Sequence, residues 1–183
     1  MNAQLKQVLE EYESAQQRAH VLAAAVPEVA WLRRPDPNSW SAGECLAHLN
    51  LTSLAFLPIL RDGIGKAREM PAPTSHRYRR DPIGWLLWKI MGPPVRFRVE
   101  TAPSFVPNAN RTRDEMIEEF DRLQEEQIAC VKEADGLPIS RVKVPSPFDA
   151  RVKYNLYACL SILPRHQHRH LWQAEGAWKT PPG

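Results

Sequence analysis

The sequence predicts an all-α protein built as a bundle of long amphipathic helices. Three observations carry this. Apolar residues recur at three- and four-residue steps over several long runs, the spacing of one helix face. Two capping boxes, Ser41 with Glu44 and Thr112 with Glu115, each open such a run. Strand-like alternation is confined to Ser140–Pro147, which reads as an extended segment or lone strand rather than a sheet.

Each element follows in order. Leu5, Val8, Leu9, Tyr12, Ala15, Ala19, Leu22, Ala23 and Val26 define a first full-length helix that Pro27 stops. Trp31 and the Pro35-Asp-Pro37-Asn-Ser turn lead into a second helix from about Ser41 to Lys66. Pro58 removes one backbone donor inside it and predicts a bend, and Gly63 and Gly65 predict a frayed end. From Met70 to Thr112 seven prolines break any long element. Only Asp81–Met91, with Ile83, Trp85, Leu86, Leu87, Trp88 and Ile90, is apolar enough for a short buried helix or the start of a third bundle helix. The remainder is a long connection whose aromatic residues predict a packed lid. A further helix runs from Arg113 to Ala134, ended by Gly136 and Pro138. Asn155 starts the last helix, in which Pro164 predicts a kink.

With 183 residues, 43% hydrophobic and 25% charged, the chain has the length and composition of one domain over 1–183 with its own core. No export signal or membrane span is read from it, and the expected location is cytoplasmic. Cys45, Cys130 and Cys159 have no CxxC spacing and read as buried free thiols. Net charge is +3, but positions 61–100 hold nine Lys or Arg against four acids, so that stretch carries +5 and the rest −2. The basic residues interleave too sparsely with aromatics for nucleic-acid binding. They suit an anionic small molecule, with Arg77, Arg79, Arg80, Arg96 and Arg98 as the candidate contacts from the lid.

The chemistry gathers near the end, in Arg165-His166-Gln167-His168-Arg169-His170-Leu171-Trp172-Gln173. His166 and His170 are four apart, so on a helix both imidazoles aim at one point and can chelate a divalent ion. The pair alone fits two partly exposed polar residues better than a metal site. His168 lies about 200° round the helix and reads as a surface residue. The best third ligand is His48, in the second turn of the helix that Ser41 caps. It shares an inward stripe with Cys45, Leu49, Thr52 and Phe56, which makes Cys45 and Thr52 candidates to line the site. Gln173, one turn past His170, could hydrogen-bond a bound water or ligand, or could be an exposed or capping residue. No HExxH and no acid at a convincing offset supplies a general base, since Glu44 caps a helix and Glu175 lies past the last ligand.

WSAGECLAHL at positions 40–49 together with HQHRHLWQ at 166–173 resembles the DinB/YfiT-like family of metalloenzymes. The resemblance implies a four-helix bundle carrying a divalent metal on three histidines, at the positions of His48, His166 and His170. Zinc or nickel leads, with iron or manganese as alternatives, because three imidazoles do not choose among them. Characterised relatives are bacillithiol-dependent S-transferases and mycothiol-dependent isomerases, so the resemblance implies a transferase joining a low-molecular-weight thiol to a small electrophile. The alternatives are a hydrolase using metal-bound hydroxide and a non-catalytic stress-response bundle that binds a metal or small ligand. Such relatives also pair as homodimers.

Overall fold

The computed structural model describes residues 1–73, 77–93, 101–107 and 111–180. Among them the fold is mostly helical, with four long helices: α1 (Ala3–Ala25), α3 (Ala42–Arg68), α5 (Arg113–Glu133) and α6 (Leu156–Lys179). Two short ones, α2 (Glu28–Trp31) and α4 (Pro82–Ile90), and a 3-10 turn at Pro103–Phe105 complete the helical content. The caps explain where the helices begin. Asn2, Ser41, Asp81, Thr112 and Asn155 each accept a backbone N–H in the first turn of the helix that follows. At Ser41 and Thr112 the Glu three residues on returns the bond, completing both capping boxes.

α1 and α3 each pack against both α5 and α6. Cross-helix contacts give the directions. Arg61 meets Glu126 and, seven residues later on both helices, Arg68 meets Glu133, so α3 and α5 run parallel. Gln4 reaches Tyr157 and Arg18 reaches Glu175, so α1 and α6 also run parallel. Asn2 bonds Asp135 while Gln16 bonds Asp121, which makes α1 and α5 antiparallel. Two consecutive long helices that point the same way need a connection spanning the length of the helices. The Pro-rich stretch between α3 and α5 is that crossover.

The apolar core forms two clusters, one around Leu5, Leu60, Leu123 and Leu160, the other around Leu22, Leu46, Phe120 and Leu171. Between them lies a buried polar layer, with His48, Asn50, Thr52 and Ser53 on α3, Gln124 on α5, and His166, Gln167, Arg169 and His170 on α6. Burying so many polar groups is costly unless each is paired or serves a ligand.

Several expectations change. α3 does not fray at its glycines but continues to Arg68, because Gly63 is buried where a Cβ would stand 3.0 Å from Leu156 and Val144. α4 is not a buried helix. Only Gly84 is buried, while Ile83, Trp85, Leu86 and Ile90 are exposed. The extended segment is not a lone strand: β1 (Lys143–Pro145) pairs antiparallel with β2 (Lys153–Asn155), Val144 opposite Tyr154. His168 is half-buried and engaged rather than a free surface residue. Its Nε2–H donates to the Glu11 carbonyl at 3.1 Å and its Nδ1 accepts from Arg18 at 2.8 Å, joining α6 to α1. Pro58 and Pro164 lie inside continuous helices. All three cysteines are free and buried.

Candidate metal centre

His48 comes from the second turn of α3, which its capping box fixes, while His166 and His170 come from successive turns of α6. The antiparallel approach of α3 and α6 brings the three together, each offering a ring nitrogen, all within 4.8 Å of one another. The three residues are only 2%, 8% and 7% exposed, so bulk water solvates them poorly. His48 Nδ1–H donates to the Phe105 carbonyl at 2.9 Å. A carbonyl only accepts, so this bond fixes the tautomer and leaves the Nε2 lone pair for the cluster.

Nε2 of His166 and Nε2 of His170 stand 3.1 Å apart. Two neutral imidazole lone pairs at that separation repel unless a proton or a cation lies between them. Burial holds the pKa of all three rings below the ordinary histidine value, for His166 and His170 well below it. His48 and Arg169 push His166 down further, and His166, His48 and Arg169 do so for His170. At neutral pH the cluster is therefore three uncharged nitrogen donors, the protonation state that a metal ion requires.

Aromatic residues frame it. Trp40 lies over His48 with centroids 4.8 Å apart and faces His170 at 5.8 Å. Phe148, from the β-hairpin loop, stands 6.4 Å from His166 and packs on Phe105 at 4.4 Å. A cleft of about 1480 Å³ opens beside the histidines, with Trp40, Phe56, Leu87, Met91, Phe148 and Arg169 among its walls. The family model of the DinB superfamily matches residues 11–174 of this chain, a span holding all three histidines and both motifs. The chain belongs to the DinB superfamily. No curated protein and no solved structure matches it.

The residues of this DinB-superfamily chain fit a divalent transition metal. The 3.1 Å between Nε2 atoms is close to the ~3.3 Å that two imidazoles adopt on one tetrahedral ion with bonds of about 2.0–2.1 Å. His170 Nδ1 and Gln173 Oε1 are both buried without a hydrogen-bond partner, although Gln173 lies close enough to pull the His170 pKa back up. A small rotation would pair them with Nδ1–H donating, and that tautomer leaves the Nε2 lone pair of His170 facing the cluster.

The other sequence candidates fall in different places. Cys45 and Gln173 line the cleft. Burial pushes the Cys45 thiol up to about 12, so it stays protonated. Thr52 is buried one turn past His48, and its hydroxyl donates to the Leu49 carbonyl at 2.9 Å, outside the cleft wall. Arg80 is held by the Ser161 hydroxyl at 2.8 Å and stacks over Trp88 and Tyr157. Arg77 and Arg79 are exposed, and none of these three arginines lines the cleft. Arg96 and Arg98 lie outside the described residues. The lid contributes Leu87, Met91 and residues 101–103 to the walls instead.

Sequence reasoning missed the Phe105 carbonyl, Trp40, Phe148 and Arg169. Two of these had a signal, Trp40 as the first residue of the WSAGECLAHL motif and Arg169 between the two histidines in the HQHRH run. Neither of the two acids weighed in the sequence, Glu44 and Glu175, is free to act as a base. Arg34 and Ser41 hold Glu44, outweighing the upward pull of burial on its pKa, and Arg18 holds Glu175 at 2.8 Å.

Proposed function

We propose that this chain is a four-helix-bundle metalloenzyme that joins a low-molecular-weight thiol to a small electrophile on a divalent ion held by His48, His166 and His170. The observation that carries the reading is the convergence of three buried, uncharged imidazoles on one point beside a large apolar-walled cleft. The ring of contacts among α1, α3, α5 and α6 supports the bundle. Three protein ligands leave an open position, the mark of a catalytic rather than a structural ion. When bound, a divalent ion there supplies Lewis acidity that lowers the pKa of a thiol near neutral pH.

The chain's own residues do the rest. Phe105 and the α3 capping box orient His48, and the α6 backbone spaces His166 from His170. Trp40, Phe56 and Phe148 keep water from the apolar side of the cleft and offer a surface for the electrophile. The acids nearest the motifs are engaged in ion pairs, which favours a nucleophile activated by its own ionisation over amide hydrolysis with a general base.

The test is reconstitution with zinc, nickel or manganese, followed by thiol consumption assays with bacillithiol, mycothiol and cysteine against an epoxide and an aryl halide. Metal-dependent turnover by the wild type and none by His166→Ala supports the reading. Stoichiometric metal without turnover on any pair contradicts the transferase assignment.

A further inference from the structure

Charge and apolar surface coincide on one side of the molecule. α4 packs on α6 and on β2, and at its start Lys143 of β1 pairs with Asp81. Residues 77–93 and 141–155, which hold α4 and the hairpin, carry eight Lys or Arg against two acids, so they total +6 while the rest of the chain totals −3. Both acids are matched within the patch, Asp81 by Lys143 and Asp149 by Arg151. Two acids approach from outside it and are also engaged. Glu11 faces Arg165 and Arg80, while Asp135, beside Tyr78, accepts the Asn2 N–H at 2.9 Å and lies 3.5 Å from the Met1 ammonium. Arg79, Lys89, Arg141 and Lys153 are exposed and make no ion pair among the described residues.

Amid these charges α4 turns an apolar side outward. Ile83, Trp85, Leu86 and Ile90 are 47%, 51%, 53% and 46% exposed, and the Lys89 ammonium lies over the Trp85 ring, 5.1 Å from its centroid. Helical spacing puts them away from Gly84, whose backbone meets Ala158. Large apolar side chains gathered in water mark an interaction surface. The charges choose the partner. A second copy docked on the same face about a two-fold axis would set +6 against +6. A nucleic acid offers phosphates but no apolar body for the centre. An anionic bilayer offers headgroup charge for the rim and acyl chains for the centre, and a tryptophan ring with a lysine over it suits the headgroup boundary.

We propose that α4 and the flanking hairpin form a docking surface for an anionic lipid bilayer. Ile83, Trp85, Leu86 and Ile90 enter the headgroup boundary, and Arg79, Lys89, Arg141 and Lys153 meet the lipid phosphates. The chain lies on the membrane rather than crossing it, since α3, the one described helix long and apolar enough to span, is committed to the core. The same α4 lends Leu87 and Met91 to the cleft wall, so the docked face adjoins the cleft. None of this depends on a metal ion.

The experiment is co-sedimentation of the full chain with vesicles of phosphatidylcholine alone and of phosphatidylcholine with about one-third phosphatidylglycerol, at low and raised salt. Wild type is compared with Trp85→Gln/Leu86→Gln, with Arg141→Gln/Lys153→Gln and with the control Val29→Gln, an exposed apolar residue on α2, each checked for helicity. Wild type is expected to bind the anionic vesicles at least about tenfold more tightly than the neutral ones, and raised salt to weaken that binding. Each double variant is expected to lose about fivefold or more, and the control to bind like wild type. Should the α4 variant lose helicity, the hairpin variant, whose changes touch only exposed side chains, still decides. No binding to anionic vesicles at millimolar lipid, equal binding to both kinds, or wild-type binding by either double variant would overturn the proposal. So would a dimer in sedimentation velocity that Trp85→Gln/Leu86→Gln abolishes, which would assign the face to a second copy.

Discussion

His48 donates its Nδ1 proton to a backbone carbonyl 57 residues away in the chain, and that one bond settles which nitrogen the cluster receives. The three histidines were legible in the sequence because an i, i+4 pair and a capped inward-facing helix each restrict direction. Phe105 and Phe148 were not, since their roles depend on how distant segments meet and no local pattern encodes that, while Trp40 stood in the WSAGECLAHL motif with no role attached. Gln173 was legible only as an alternative. The structure places its amide oxygen beside the unpaired Nδ1 of His170. Removing it in Gln173→Ala should weaken metal binding about tenfold, read by competition with a chromophoric chelator, with helicity unchanged. An unaltered affinity would show that the two atoms do not pair.

The depressed histidine pKa values also predict a pH dependence for the metal-free protein. In the unfolded chain these rings protonate near pH 6.5, while the folded rings stay neutral to lower pH. Below about 6.5 the unfolded state therefore binds more protons, and stability falls as the pH is lowered. Each ring inside that window contributes up to about 1.4 kcal/mol per pH unit. Urea unfolding at pH 7.5, 6.5 and 5.5 should show this loss, and the double variant His166→Gln, His170→Gln should show less of it. Equal slopes for the two proteins would place the protonation elsewhere.

At the scale of elements, the long helices were readable because periodicity accumulates over five or more turns and the capping boxes mark their starts. The hairpin was not, because three residues per strand carry too little alternation to separate a ribbon from a loop. α4 misled for a different reason. Its residues are apolar on every side, which predicts burial, yet only the side bearing Gly84 docks on α6. A Cβ at Gly84 would fall 2.3 Å from the Ala158 Cβ, so the two backbones approach as closely as glycine permits. Gly84→Ala should force α4 off α6 and cost about 1–3 kcal/mol in denaturant unfolding. It should also disturb the Ile90 carbonyl that holds Arg169. Wild-type stability in this variant would mean that the contact is slack.

At the scale of the molecule, the two parallel pairs α1 with α6 and α3 with α5 explain the long crossover, which the sequence suggested as a lid without giving its cause. The same arrangement puts a polar layer between two apolar clusters, with the histidines at the point where α3 and α6 face each other. The proposed function requires this layer to hold a metal ion. Its most direct test is metal content by elemental mass spectrometry on untagged protein, wild type beside His48→Ala and His166→Ala. Close to one divalent ion per chain is expected in wild type, with loss in both variants. Wild type that purifies without metal, and takes up neither zinc, nickel nor manganese, would contradict it and leave the three histidines as a buried polar cluster.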